Sequence, residues 1–202
     1  MAPTTLNTFN GKVGNVYITP FGTAAPFTVP PVNTFDITAA SLASPWTAGN
    51  LGYLHESDTP TLGYALTTKQ ITAWQLAGNI MRVLSTGKVR TIKFTCREIN
   101  KNVWNQVEPG STYLDAANGS SVVTVPNAST NPYRAGLIEI QDLDQSQKMW
   151  VYIPMLQINA LGDLKFDEQE TTNAQLTFTF LSPTGNSTDP LYYVASNLPG
   201  LF

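Results

Sequence analysis

The sequence predicts a mainly β protein carrying one helix, and three observations predict it. Several segments alternate apolar and polar residues with period two, the pattern of a strand with one buried face. Hydrophobic residues make up 42% of the 202 residues, enough for a packed core without disulfide or metal staples. Charged residues make up 12%, about half the usual share. The polar surface therefore comes from Thr, Ser, Asn and Gln, which suits strands and broad contact surfaces better than solvent-facing helices.

The elements follow in chain order. VYIT at 16–19 is a short strand candidate. NIMRVLS at 79–85 reads as a strand that pairs with 89–98 across the turn Ser85–Lys88; a short helix through Trp74, Ala77, Met81 and Leu84 competes for that segment. VRTIKFTCRE at 89–98 alternates most clearly, with Ile92, Phe94 and Cys96 opposing Thr91, Lys93, Thr95 and Arg97. In NKNVWNQVEPG at 100–110, Val103, Trp104 and Val107 share a helical face and Pro109-Gly110 ends it. VVTV at 122–125 is another short strand. GLIEIQDL at 136–143 places Ile138 and Ile140 inward and Glu139 and Gln141 outward. KMWVYIPML at 148–156 is apolar on both faces, so both are expected to be covered, and Pro154 predicts an edge or a bulge because it has no N–H for a ladder. NAQLTFTFL at 173–181 closes the set, with Ala174, Leu176, Phe178 and Phe180 on one side.

Three stretches are irregular: a loop at about 20–50, a second at about 108–135, and a C-terminal arm at about 182–202. Loops longer than about 12–15 residues are uncommon in compact domains. The first loop holds Phe21, Phe27, Val29, Phe35, Leu42 and Trp46, and the arm holds Leu191, Tyr192, Tyr193 and Val194. Disordered segments are poor in such residues. These arms are expected to pack on their own domain or on a neighbouring subunit, and for at least one of them a neighbour is the expectation.

Catalytic signals are weak. His55 is the only histidine; His55-Glu56-Ser57-Asp58 holds the residue types of a triad, but adjacent residues rarely have triad geometry. Cys96 shares its strand phase with Ile92 and Phe94 and reads as a core thiol. Neither Gly11-Lys12 nor Gly87-Lys88 has the upstream glycine of a phosphate loop, and Asp142-Leu143-Asp144 lacks EF-hand spacing. No catalytic residue, cofactor or metal is expected. A net charge of −3 argues against a nucleic-acid grip built from clustered cations. No membrane span and no secretory signal are read from the sequence, so the Asn-x-Ser/Thr sites read as Asn-rich turns.

Charge is segregated along the chain. Residues 82–101 hold six cations against one acid, and residues 139–170 hold seven acids against two cations. Either the two segments are neighbouring strands whose charges pair across a sheet, or they form complementary faces of one subunit that meet head to tail, giving rings or filaments.

The order of pieces resembles the major tail tube proteins of siphophages, particularly phages of actinobacteria. The resemblance rests on GKVGNVYITPFGTAAP at 11–26, Asn50–Glu56, ITAWQLAGNIMRVLSTGKVRTIKFTCREINKNVW at 71–104, and WVYIPMLQINALGDLKFDEQETTNAQLTFTF at 150–180. It covers most of the chain, through short and degenerate motifs. It implies a single domain over 1–202: two packed antiparallel sheets, a sandwich or barrel, with one flanking helix. It also implies hexameric rings stacked into a tube around a tape-measure protein, with tail terminator and distal tail proteins as further partners, DNA in transient non-specific passage, and a place in the virion tail after synthesis in the host cytoplasm. Glu139 and Gln141, on the polar phase of their strand, are the lumen candidates. Phe27, Phe35, Trp46, His55, Lys93, Arg97, Asp167, Glu168, Glu170, Tyr192 and Tyr193 are the candidates for contacts between subunits or rings. Two rival readings share the composition: another virion β-protein (tail terminator, baseplate or capsid decoration), and a carbohydrate-binding β-sandwich with a tryptophan platform.

Overall fold

The computed structural model describes residues 13–27, 42–54, 58–72, 80–117, 119–127, 130–141, 147–162, 164, 173–186 and 188–197. Among these residues nine strands and one α-helix run in the order β1 (Val13–Pro20), β2 (Thr61–Thr72), β3 (Ile80–Cys96), α1 (Lys101–Val107), β4 (Thr112–Asp115), β5 (Ser121–Thr124), β6 (Arg134–Gln141), β7 (Lys148–Leu161), β8 (Ala174–Phe180) and β9 (Tyr193–Ser196). The main sheet is antiparallel with strand order β1-β6-β7-β8-β3-β2, and β9 also pairs with β7; β4 and β5 form a separate ribbon.

Strand β7 serves two layers. Its first half pairs with β6 on one edge and with β9 on the other; its second half pairs with β8 on the edge that β9 has left. The change falls at Pro154, where the β6 register slips between Arg134 and Gly136. This is the bulge its missing N–H predicts.

The sheet then coils. Asn50 bridges Tyr17 on the free edge of β1, and four residues later Leu54 bridges Cys96 on the β2-side edge of β3. Four steps of chain reach at most roughly 14 Å. In a flat sheet those positions would lie six strand spacings apart, roughly 29 Å. The sheet must therefore fold over itself, placing β1-β6-β7-β9 against β7-β8-β3. Two single bridges are not a ladder, so the coil is a sandwich with a seam and not a closed barrel.

The core between the layers takes Val16 and Ile18, Ile138, Val151 and Ile153, Leu176 and Phe178, and Ile92 and Phe94. Helix α1 covers one end with Val103, fully buried. The helix starts where Asn100 Oδ1 accepts the N–H groups of Asn102 and Val103 at 3.0 Å, satisfying two donors that the first turn leaves open. Gln106, and not the half-buried Trp104, shares the covered face with Val103.

A second core lies on the outer face of β1, β6, β7 and β9. It contains Tyr17, Phe27, Trp46, Ala135, Leu137, Trp150, Tyr152 and Ala195. Strand β6 is therefore covered on both faces. Its expected solvent face is absent because part of the 20–50 loop folds back over it.

The main departure from the sequence reading is the hairpin. Residues 80–85 and 89–96 are not two paired strands joined by a turn; they belong to one continuous strand, β3, whose partner from Ile80 to Lys93 is β2. An extra residue near Thr86, opposite Thr67 and Thr68, is accommodated as a register shift. Trp74 and Ala77 of the competing helix lie outside the described residues.

Candidate assembly surface

The β2–β3 hairpin leaves the body of the molecule. Strand β8 pairs with β3 only from Thr91 to Cys96, whereas β2 pairs with β3 from Lys93 out to Ile80. Among the described residues, positions 80–90 of β3 have no partner on their second edge. The projecting part is about 11 residues long, roughly 35 Å at strand rise. It presents two ladder edges, and open edges are templates for pairing with another chain.

Its side chains match that role. Residues opposite one another in an antiparallel pair share a face, so Leu62, Tyr64 and Leu66 lie on the same face as Ile92, Arg90 and Lys88. Ile92 is buried in the core at 1% exposure, but Leu62, Tyr64 and Leu66 are 47%, 55% and 46% exposed. The core-facing row thus runs on past the last β8 partner with nothing among the described residues over it. Arg90 lies 3.8 Å over the Tyr64 ring, which holds the aromatic flat against the hairpin. Val89 and Ile71 add exposed apolar surface. The alternation of Leu62, Tyr64 and Leu66 was a period-two signal for β2 in the sequence, diluted by the small Gly63 and Ala65 between them.

The ribbon β4–β5 is a second exposed element. Leu114, Val122 and Val123 are 71%, 59% and 37% exposed, and Tyr113 ties the ribbon to α1 through a hydroxyl bond to Asn105 Oδ1 at 2.9 Å.

The residues singled out in the sequence fall in different places. Glu139, a lumen candidate from the sequence, is 6% exposed in this subunit. Its Oε2 accepts from the Tyr17 hydroxyl at 2.9 Å and from Asn15 Nδ2 at 3.2 Å, and its Oε1 accepts from Trp150 Nε1 at 3.1 Å. The alternation that put Glu139 outside was read correctly, but that outside is the second core. Burial, then the Glu139 charge, then the hydrogen bond to it, all push the Tyr17 hydroxyl far above its usual range. Gln141, at the end of the same strand and on the same face, is half-buried.

Phe27 and Trp46 were expected at a neighbour and are instead covered by their own chain. Phe27 stacks on Trp150 with centroids 6.5 Å apart and meets Tyr152 edge-on at 6.1 Å. Trp46 is 3% exposed, meets Tyr152 edge-on, and donates from Nε1 to Ala24 O at 3.0 Å. The C-terminal arm is covered by its own chain in part. Asp189 accepts from Ser182, from the Thr184 hydroxyl and from the Thr184 N–H, which lowers its pKa and closes a turn that sends the chain back as β9. Tyr193 then stacks on Tyr152 at 6.1 Å, and Tyr192 packs against Phe180 at 6.0 Å. Both tyrosines are half-buried within the subunit. A large apolar side chain on a nearby loop is buried most simply by its own sheet, and here the sheet had a free face to take it.

Lys93 and Arg97 are exposed. Lys93 faces Thr61 and Thr177 across the ladder, so among the described residues no acid stands opposite it. Strand β3 neighbours β2 and β8, whereas Glu139, the one acid of the 139–170 block among the described residues, lies on β6, so the described ladders bring no acid of that block beside the cations of β3. Phe35, His55, Asp167, Glu168 and Glu170 lie outside the described residues. Cys96 is buried and sits in the core. The described residues contain no group of three or more His, Cys, Asp or Glu that could hold a metal ion. No helix among them is long and apolar enough to cross a membrane. Trp46 and Trp150 are buried and Trp104 is half-buried, so these three form no open sugar platform.

A search of curated proteins finds no match. Among solved structures, the chain is similar to the anti-feeding prophage cap, a tube-terminating cap seen by cryo-electron microscopy; the identity is 9% and the TM-score 0.40, over 97% of this chain and 99% of that one. The family model described as phage tail tube protein matches residues 1–200. With that match across a β-rich chain whose longest hairpin lies uncovered, the chain belongs to the phage tail tube protein family, a structural component of the virion tail and not an enzyme.

Proposed function

We propose that copies of this chain join edge to edge through the β2–β3 hairpin into closed hexameric rings, and that these rings stack into the hollow tube through which DNA leaves the virion. The tape-measure protein would occupy the tube during assembly, and terminator and distal tail proteins would meet its ends. One observation carries the reading. The core-facing row continues from Ile92 into Leu62, Tyr64 and Leu66, which stay about half exposed, and no element among the described residues covers them. A second copy can supply both the missing strand and the missing apolar layer, and ring closure leaves no edge open.

The lumen follows from the same geometry, in place of the Glu139 assignment. The face of β3 and β8 opposite the core carries Thr91, Gln175, Thr177 and Thr179. Short neutral polar groups neither condense phosphate, as a lysine-rich wall would, nor repel it strongly. We assign that face to the lumen, with Lys93, beside β2, at the margin where the next copy meets it.

Negative-stain microscopy of the purified full chain tests the function. Long hollow cylinders are expected. A compact monomer at every concentration would overturn the reading, and so would single rings that never lengthen, the behaviour of a terminator.

A further inference from the structure

A cleft of about 320 Å³ opens between the end of β1, the 45–49 turn, α1 and the start of β6. Its wall includes Ile18, Thr19, Pro45, Asn105, Gln106 and Arg134. Two features set it apart from an ordinary surface dent.

The first is Arg134. Its guanidinium is half-buried, and burial lowers its pKa; an arginine still keeps its proton. Its Nε donates to Gln106 Oε1 at 3.1 Å and its Nη2 to Asn105 O at 3.4 Å. Both acceptors are neutral, and among the described residues no carboxylate meets it. A chain with 11 cations in all has placed one of them where water is partly excluded, with no counter-charge among the described residues. The second is Thr19. It is 2% exposed, and its Oγ1 has no hydrogen-bond partner. A buried hydroxyl without a partner is uncommon and calls for one. Arginine and hydroxyl line the same cleft, and together they match the demands of a carboxylate, a charged acceptor with several lone pairs.

We propose that this cleft is a docking site for an acidic side chain of a second copy of this chain. The occupant is argued from charge: the stretch 139–170 holds seven acids against two cations, and its one described carboxylate, Glu139, is already taken by neutral donors. The site lies away from the β2–β3 hairpin, so it adds a charge-directed contact to the edge pairing. It rests on self-assembly as proposed above.

The test is zero-length cross-linking. The Arg134→Lys variant keeps the positive charge and supplies an amine that carbodiimide couples to a touching carboxylate. Light and heavy isotope-labelled chains are mixed before assembly, coupled, and read by mass spectrometry. The expected result is an amide between position 134 of one label and an acid of the other, in assembled material and absent from dilute chain. Lys101, an exposed lysine at the start of α1, reports that the chemistry ran. Polymers with no mixed-label product at 134, or with only same-chain products there, overturn this site and leave tube formation standing. No polymer at all from the unsubstituted chain overturns both. Arg134→Gln provides a second readout: assembly is expected to weaken about tenfold and to lose part of its salt sensitivity, while α1 and the monomer fold persist. Unchanged assembly and salt response would refute the docking role.

Discussion

Replacing Glu139 by leucine removes the common acceptor of three donors. Asn15 is half-exposed and can turn to water. The Tyr17 hydroxyl and Trp150 Nε1 cannot, because their residues are 6% and 1% exposed and lie within the aromatic layer of the second core. Each buried donor left without a partner costs about 1–3 kcal/mol, so the pair costs about 2–6 kcal/mol. Relief of the carboxylate's own desolvation offsets part of this. The remainder is a large share of a domain stability of about 5–15 kcal/mol. The assay is urea unfolding of the dilute, unassembled chain, followed by tryptophan fluorescence. The midpoint is expected to fall with little change in slope. Adding Tyr17→Phe removes one orphaned donor and is expected to recover part of the loss. A loss below about 1 kcal/mol in the single variant, or no recovery in the double, would show that Glu139 does not organise this layer.

Other consequences are open to direct measurement. Leu66→Glu places a carboxylate opposite Lys88 on the exposed hairpin; tube formation is expected to fail while monomer stability stays within about 0.5 kcal/mol, read by light scattering and urea unfolding. Lys93→Glu with Arg97→Glu is expected to block assembly without unfolding the monomer, and high salt to loosen the unsubstituted polymer, because both cations are exposed and screenable; normal tubes from the double variant would end the idea of complementary charged faces. Burial pushes the Cys96 thiol up from 9.0 to about 12. The unfolded thiol ionises first, so the stability it contributes is whole below pH 9 and is lost as pH rises from there toward about 12, by about 1.4 kcal/mol per unit. Urea midpoints across that range, with Cys96→Ala as the control, check the slope, and alkylation of the native chain at pH 8 is expected to be slow.

Much of the fold was legible because its strands are half-buried. The period-two rows of Ile92, Phe94 and Cys96 and of Leu176, Phe178 and Phe180 face one core, so the pattern named the face directly. Pro154 marked its bulge for a covalent reason that no context can change. Strand β2 escaped notice because its apolar row of Leu62, Tyr64 and Leu66 stays exposed, and the small Gly63 and Ala65 between them together with the Thr67-Thr68 run after them resemble a loop. Glu139 misled because alternation gives the side of a strand, not what lies over that side. Phe27 and Trp46 misled in a related way: sequence shows that a loop is apolar, not which free face it will find. The Arg134 cleft had no sequence signal, since Thr19, Asn105, Gln106 and Arg134 come from three separate elements.

Hydrogen exchange along the hairpin, compared between dilute chain and assembled material, probes the central idea most directly. Amides of β3 at positions 80–90 with no β8 partner, and those on the outer edge of β2, are expected to exchange rapidly in the monomer and to gain at least tenfold protection on assembly, while the core of β6 and β8 changes little. Equal exchange of the hairpin in both states, with protection arising only elsewhere, would contradict the account.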